Sequence, residues 1–416
     1  MSEYKTSYRK FILASGIYGM ILIAINFTMA SPVLIEISKS VKSTIALTGM
    51  ILTFMALGFI FGTVLNGIFT RFIKRKHLYR TVLFVQSLSF MIFAFSKNLV
   101  LSLIMFLMLG ICCGILEVAI GTMMVELSKK TAGLTLNLVH VFFGIGAIAG
   151  PALSSQIVGH GFSWQIGFLF VSGLVFVNFI FSLFIKIPSA EEYDNRQLIL
   201  NSNAVKSSSP KIVSNFTKLT IGLIILLSVI IFTNTATEVG FTSWMPTFMR
   251  LNKGFSNVLA GQSLSLFWLA MLVGRLLVGL LSRWFKIEII LIFLCIACFI
   301  SAISSVLVKN SAAVFVLFVF VGLTQSGMWP GVLALGSSCF PKNVNLVISV
   351  LSAAGGIGGL VSSFIVSLIY YRFDNLKSGL IISSSYVLIA FIVLSIFSLI
   401  SNREKGSEKA IMKLKK

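Results

Sequence analysis

Acidic residues are scarce in this chain: twelve Asp and Glu stand among 416 residues, and charged side chains of both signs make up only 11%. A water-covered protein carries roughly a quarter charged residues. Water therefore cannot cover this exterior, and lipid must. Histidine is scarcer still, at three, and no Ser-His-Asp, nucleotide or metal constellation accompanies it. No G-x-x-x-x-G-K-[ST] loop is present to hold ATP. These absences argue against an enzyme and against direct ATP drive, and no cofactor is expected. Five cysteines, at 112, 113, 295, 298 and 339, fall in or at the ends of apolar runs. Cys295 and Cys298 make a C-x-x-C without a His or acid nearby in sequence, which reads as small core residues.

What the chain does have is apolar length, with 57% of residues hydrophobic. Twelve runs recur, at about 10–36, 44–70, 80–96, 99–127, 134–158, 164–187, 218–247, 258–282, 287–308, 312–338, 346–370 and 379–400. Backbone polar groups in hydrocarbon must pair within their own segment or in a closed barrel. Barrel strands alternate strictly over about 10 residues; these runs are longer and do not alternate. The expectation is an all-α membrane protein of twelve transmembrane helices. The basic N-terminal stretch mimics a signal peptide, but its apolar run is too long for one and reads as a retained first helix.

The net charge of +21 is an orientation signal and not a mark of nucleic-acid binding. Of 33 Lys and Arg, 24 fall on the side that holds both termini and 8 on the other, with Arg275 inside a run. That bias places both termini in the cytoplasm of a multi-pass cell-membrane protein. The polar stretch 188–217 divides the runs six and six. The expected organisation is a six-helix bundle at 1–187, a cytoplasmic linker at 188–217, a second bundle at 218–400 and a basic tail at 401–416. A single chain is expected to act alone.

The halves repeat. At an offset of 208, "NLVHVFFGIGAIAGPALSSQIV" (137–158) falls on "NLVISVLSAAGGIGGLVSSFIV" (345–366); at 212, "GTVLNGIFTRF" (62–72) falls on "GRLLVGLLSRW" (274–284). Two parallel six-helix repeats are the plan of the major facilitator transporters, whose substrate site lies at mid-membrane between the halves. "NGIFTRFIKRKHLYR" (66–80) resembles that superfamily's loop between its second and third helices. Its basic part, including Arg71 and Arg75, is kept, while Asn66 and Thr70 stand at the usual glycine and aspartate positions. "LNLVHVFFGIGAIAGP" (136–151), "TEVGFTSWMPTFM" (237–249) and "SGMWPGVLALG" (326–336) resemble the fucose–galactose–glucose:proton symporter branch. That resemblance implies proton-linked sugar transport, with substrate binding coupled to protonation at the fourth helix's Glu, here Glu117. The first-helix aspartate of the proton symporters is replaced by Met29.

A charged side chain at mid-bilayer costs roughly 2.5–3.5 kcal/mol on insertion scales, so it is kept for function or pairing. Two acids lie deep, Glu117 and Glu238, with one deep cation, Arg275. Glu117 reads as a protonatable cavity ligand or as a structural acid bonded to a neighbouring helix. An offset of 208 sets Gln325 opposite it, Asn26 opposite Asn234, and Ala30 opposite Glu238. Asn234, Glu238 and Phe241 share one helical face; Glu238 reads as a solute or proton ligand or as Arg275's partner. Arg275 itself could pair with a deep Glu or bind an anionic substrate, or fill a structural role near the helix end, where it can snorkel. Asn137 joins the candidate substrate ligands. His140 is a packing group or a proton relay. Trp268 and Trp329 stack on a sugar's apolar face or simply pack. Gly146, Gly150 and Pro151 form a G-x-x-x-G-P that also resembles a drug–proton antiporter motif, though physically it needs only close helix contact and a kink. Proton-coupled uptake of a sugar-like solute is the leading expectation, and efflux of a drug, siderophore or metabolite the alternative. A non-transporting receptor is a third.

Overall fold

A computed structural model describes residues 2–127, 132–184, 218–340 and 343–414, with side chains over 10–124, 140–184, 220–340 and 343–400 except 345. The expected linker at 188–217 lies outside the described residues, as do the side chains of the 401–416 tail and of Asn137. Described residues form helices α1 (Ser2–Thr28), α2 (Leu34–Ser40), α3 (Ile45–Phe72), α4 (Arg75–Phe95), α5 (Leu99–Leu127), α6 (Ala132–Gly159) and α7 (Trp164–Phe184). They continue as α8 (Lys218–Lys253), α9 (Asn257–Leu281), α10 (Ile287–Leu307), α11 (Ser311–Gln325), α12 (Met328–Cys339), α13 (Val344–Phe373) and α14 (Leu376–Leu414). No strand occurs among them.

Twelve stretches are long and apolar enough to cross a membrane, and they follow the twelve runs closely. Two of them are broken helices. The first span, Lys10–Ser40, runs through α1, a single 3₁₀ turn at Ser31–Val33 containing Pro32, and α2. The tenth, Ser311–Cys339, runs through α11 and α12. Large apolar side chains stand exposed along the spans, among them Val64, Phe170, Leu276 and Phe293, as a lipid-covered protein requires.

The chain divides into two compact units, Met1–Lys211 with Met249–Ser265, and Ile212–Phe248 with Leu266–Lys416. The tip of the α8–α9 hairpin thus packs with the first unit. Arg250 holds it there through a bidentate ion pair: Nη1 donates to Glu36 Oε2 at 2.8 Å and Nη2 to Glu36 Oε1 at 2.6 Å. Nη1 also donates to the Pro32 carbonyl at 3.1 Å. The flat guanidinium fork suits this paired geometry, which a lysine could not reproduce.

Helix contacts depend on glycine. A Cβ at Gly58 or Gly62 would collide with the backbone carbonyl of Leu107 or Ile111, and one at Gly110 or Gly114 with that of Met55 or Phe59. The α3 and α5 backbones therefore touch directly along about two turns. In lipid no hydrophobic drive holds helices together, so close backbone contact must do it. Gly146 meets the Ile21 carbonyl and Gly150 the Thr28 hydroxyl in the same way, joining α6 to α1. In the second unit Gly322 meets the Phe267 carbonyl, Gly274 that of Leu323, and Gly358 that of Phe232.

These contacts reveal the register of the duplication. Gly62 against Ile111 corresponds to Gly274 against Leu323, and Gly110 against Met55 to Gly322 against Phe267; all four residues shift by 212. Helix starts agree: Ile45 and Asn257, Arg75 and Ile287, Leu99 and Ser311, and Trp164 and Leu376 are each 212 apart. So are two residues with left-handed backbone, Lys42 (φ 52°) and Gly254 (φ 70°). The offset of 208 is therefore corrected. One helical turn holds 3.6 residues, so a slip of four keeps every apolar residue on nearly the same face and goes unnoticed in sequence.

The contact makes a differential prediction. An alanine costs less than a glycine inside a helix by about 0.8–1.0 kcal/mol. Gly67, on the same helix α3, has no atom within 4 Å of its would-be Cβ. Thermal unfolding in detergent is expected to show Gly67→Ala at or above the parent midpoint and Gly62→Ala clearly below it.

Candidate functional site

In the first unit a polar cluster is built from three helices. Asn26 on α1 donates its amide to Cys113 Sγ at 2.9 Å, and Gln86 on α4 donates to the same sulfur at 3.4 Å. Asn26 and Gln86 are each only 1% exposed, and the carbonyl oxygen of each amide, Asn26 Oδ1 and Gln86 Oε1, has no hydrogen-bond partner among the described residues. Cys113 and Glu117 are four residues apart on α5, so they share a face one turn apart, and Glu117 lies within electrostatic reach of the thiol. The Glu117 side chain is half-buried. Its carboxylate takes no hydrogen bond and makes no ion pair with any described residue, so the reading as an acid tied to a neighbouring helix finds no support there.

The other first-unit candidates lie on α3, α4 and α6. His140 is exposed on α6. Arg71 is exposed in the last turn of α3, where a cation suits the helix dipole, and Arg75 opens α4 half-buried. Thr70 donates to the Asn66 carbonyl of its own helix at 2.8 Å. Pro151 lies inside α6, directly after the Gly150 that touches α1.

In the second unit the candidates gather on α8, α9, α11 and α12. Glu238 is half-buried, and Arg275 lies within its electrostatic reach. Their side chains nevertheless form no ion pair at the 4.0 Å limit among the described residues. Arg275 instead places Nη2 at 3.4 Å from Met271 sulfur, and its buried Nε has no partner. Asn234 is fully buried and Gln325 nearly so, and among the described residues both ends of both amides lack a hydrogen-bond partner. Cys298 on α10 sits within electrostatic reach of Glu238 and beside Thr324. Trp268 and Trp329 are half-buried; Trp329 lies against Gly355 of α13, and Trp268 meets Phe267 edge-on at 5.7 Å. Trp244 is fully buried and packs edge-on against Tyr370 at 5.9 Å.

A buried amide without a partner costs on the order of 1–3 kcal/mol. Among the described residues no group of three His, Cys, Asp or Glu could hold a metal ion.

With the register at 212, the correspondences change. Glu238 matches Asn26, Gln325 matches Cys113, and Cys298 matches Gln86, so each half holds a trio at the same three places. Glu117 matches Trp329, not Gln325; Asn234 matches Leu22, not Asn26; and Arg275 matches Thr63. Gln86 and Cys113 were not among the sequence candidates. The signal that could have found them is a glutamine with no charged or polar neighbour inside an apolar run, paired by the correct offset with a cysteine.

Comparison with known proteins accords with this architecture. The profile of the Major Facilitator Superfamily matches residues 17–313. Glucose/mannose transporter GlcP of Bacillus subtilis is 23% identical over 350 residues, covering 83% of this chain and 84% of that protein. A Protein TsgA homolog of Buchnera aphidicola subsp. Baizongia pistaciae is 22% identical, over 86% of this chain and 88% of its own. Among solved structures, a D-xylose-proton symporter aligns with a TM-score of 0.73 at 14% identity, covering 94% of this chain and 97% of that one. A bacterial homolog of the human lysosomal transporter Spinster aligns equally well, with a TM-score of 0.73 at 12% identity and the same coverage. The chain belongs to the Major Facilitator Superfamily.

Proposed function

We propose that this protein is a secondary transporter that takes up a small hydroxyl-rich solute of the sugar class, coupled to protons. The observation that carries the reading is the set of membrane-embedded polar groups without protein partners. Glu117 and Glu238 are half-buried, with carboxylates that no described residue pairs or hydrogen-bonds, and Asn234 and Gln325 have no partner at either end of their amides. Hydroxyls both donate and accept, so a sugar-like solute matches amides and carboxylates at once. Trp268 and Trp329 offer rings for the apolar face of such a solute. Relationship to a glucose/mannose transporter supports the substrate class. A carboxylate is costly to keep charged and unpaired in hydrocarbon, so an acid whose surroundings change between states of a transport cycle can take a proton in one and give it up in another, which suits Glu117 and Glu238 to coupling. The division at 188–217, cell-membrane location, cytoplasmic termini and action as a single chain belong to the same reading, supported by the distribution of Lys and Arg.

Purified protein in liposomes is expected to accumulate labelled hexose faster when the outside is made acidic. Glu117→Gln and Glu238→Gln are each expected to reduce that uptake by about 10–100-fold, the equivalent of one lost charge-assisted hydrogen bond. Gln325→Leu is expected to weaken apparent affinity by roughly tenfold without abolishing transport. If no hexose moves, and deletion of the gene sensitises cells to drugs or siderophores, the reading passes to export, which the G-x-x-x-G-P at Gly146–Pro151 also fits.

A further inference from the structure

Only two residues, Ile73 and Lys74, separate the span Ile45–Phe72 from the span Arg75–Phe95. A joint this short sits where hydrocarbon gives way to water. Its residues are of two kinds. Arg71 and Lys74 are exposed cations, and between them Phe72 and Ile73 are exposed apolar groups, Phe72 at 81%. The register of 212 finds the same order in the second unit, where Arg283, Trp284, Phe285 and Lys286 are all exposed, Trp284 at 72%. Aromatic rings at span ends lie at the level of the lipid headgroups.

Charge separates the two corners. Residues 71–80 carry five Lys and Arg and no acid, a net +5, while the matching residues 283–292 carry Arg283, Lys286 and Glu288, a net +1. Arg80 is already occupied: its Nε and Nη2 donate to the Ser182 and Leu183 carbonyls in the last turn of α7, each at 3.2 Å. The side chains of Arg71 and Lys74 have no ion pair or hydrogen bond among the described residues. Of the acids whose side chains are described in the first unit, Glu36 is held by Arg250 and Glu117 makes no ion pair. Thr70, directly before Arg71, is uncharged and donates to its own helix. The described side chains thus give this corner no counter-charge.

We propose that the α3–α4 corner binds one anionic phospholipid, with Arg71 and Lys74 on its headgroup and Phe72 and Ile73 against its acyl chains. The α9–α10 corner, by contrast, is an interfacial anchor indifferent to headgroup charge. Arg71 and Lys74 are three residues apart, so their Cα atoms lie no more than about 11 Å from each other, and two long side chains can reach one headgroup from there. A guanidinium grips a phosphate with two parallel donors and an ammonium adds a point charge. Clusters of Lys and Arg at the end of a span draw anionic lipid. An acidic peptide or a nucleic acid would satisfy the cations and leave Phe72 and Ile73 in water; a lipid satisfies both.

The test needs no transported solute, so its failure is distinct from a failure of hexose uptake. Purified full-length protein in a neutral detergent is titrated with phosphatidylglycerol or phosphatidylcholine of the same chains, and bound lipid is counted by native mass spectrometry. Each basic residue near an anionic surface accounts for roughly a fivefold change in affinity, so phosphatidylglycerol is expected to bind about 25-fold more tightly. Arg71→Gln with Lys74→Gln should bring it down to the phosphatidylcholine level, whereas Arg283→Gln with Lys286→Gln should keep the preference within about twofold of the parent. All four side chains are exposed, so the unfolding midpoint in lipid-free detergent should not move, which separates lost lipid from lost fold. In the parent protein, high salt should shrink the preference, and Phe72→Ala should weaken both lipids alike. Equal affinity for the two lipids, a preference that survives Arg71→Gln with Lys74→Gln, an equal loss at the second corner, or glycerol phosphate competing at the same concentration as the lipid would each overturn the proposal.

Discussion

Among the described residues, several of the deep polar groups stand on helices held together by backbone touching backbone. Along α3 and α5, Gly58, Gly62, Gly110 and Gly114 leave no room for a Cβ against the facing carbonyls. Such contacts substitute for the hydrophobic drive that lipid removes. They also set registers to within a fraction of a turn, which a greasy interface alone would not. Cys113 lies beside Gly114 and Arg275 beside Gly274, so the chemistry of each half hangs on a glycine contact.

Duplication supplied the halves with the same places, and divergence gave them different charges. Asn26, Gln86 and Cys113 in one half answer to Glu238, Cys298 and Gln325 in the other. In the second half the acid stands within the trio and faces a guanidinium in electrostatic reach. In the first the acid stands one turn along α5, at Glu117, where the second half has Trp329.

The twelve spans were legible because nothing but a lipid-covered helix explains apolar runs of that length. Legible too were the two deep acids, since each is conspicuous in hydrocarbon. The register was not. In a helix a shift of four residues preserves the apolar face, and the Asn-x-x-x glycine-rich stretches at 137–158 and 345–366 match well at 208 although the helices pack at 212. Gln86 and Cys113 were passed over for a related reason: a lone amide or thiol in an apolar helix looks like packing until its partner on another helix is seen. Glu117 and Glu238 could be named from sequence, but that neither finds a protein partner among the described residues is a fact of three dimensions.

One more difference between the copies concerns compliance and not charge. Lys42 and Gly254 occupy the same left-handed position, just after the first and seventh spans. Glycine visits that conformation freely and leaves it as freely, whereas a residue with a Cβ pays on the order of 1–2 kcal/mol to be there and stays only where its surroundings force it. The joint between α2 and α3 is thereby a sprung corner, and its twin between α8 and α9 a loose one. In a frame built twice, equivalent corners thus differ in how freely their backbone can turn.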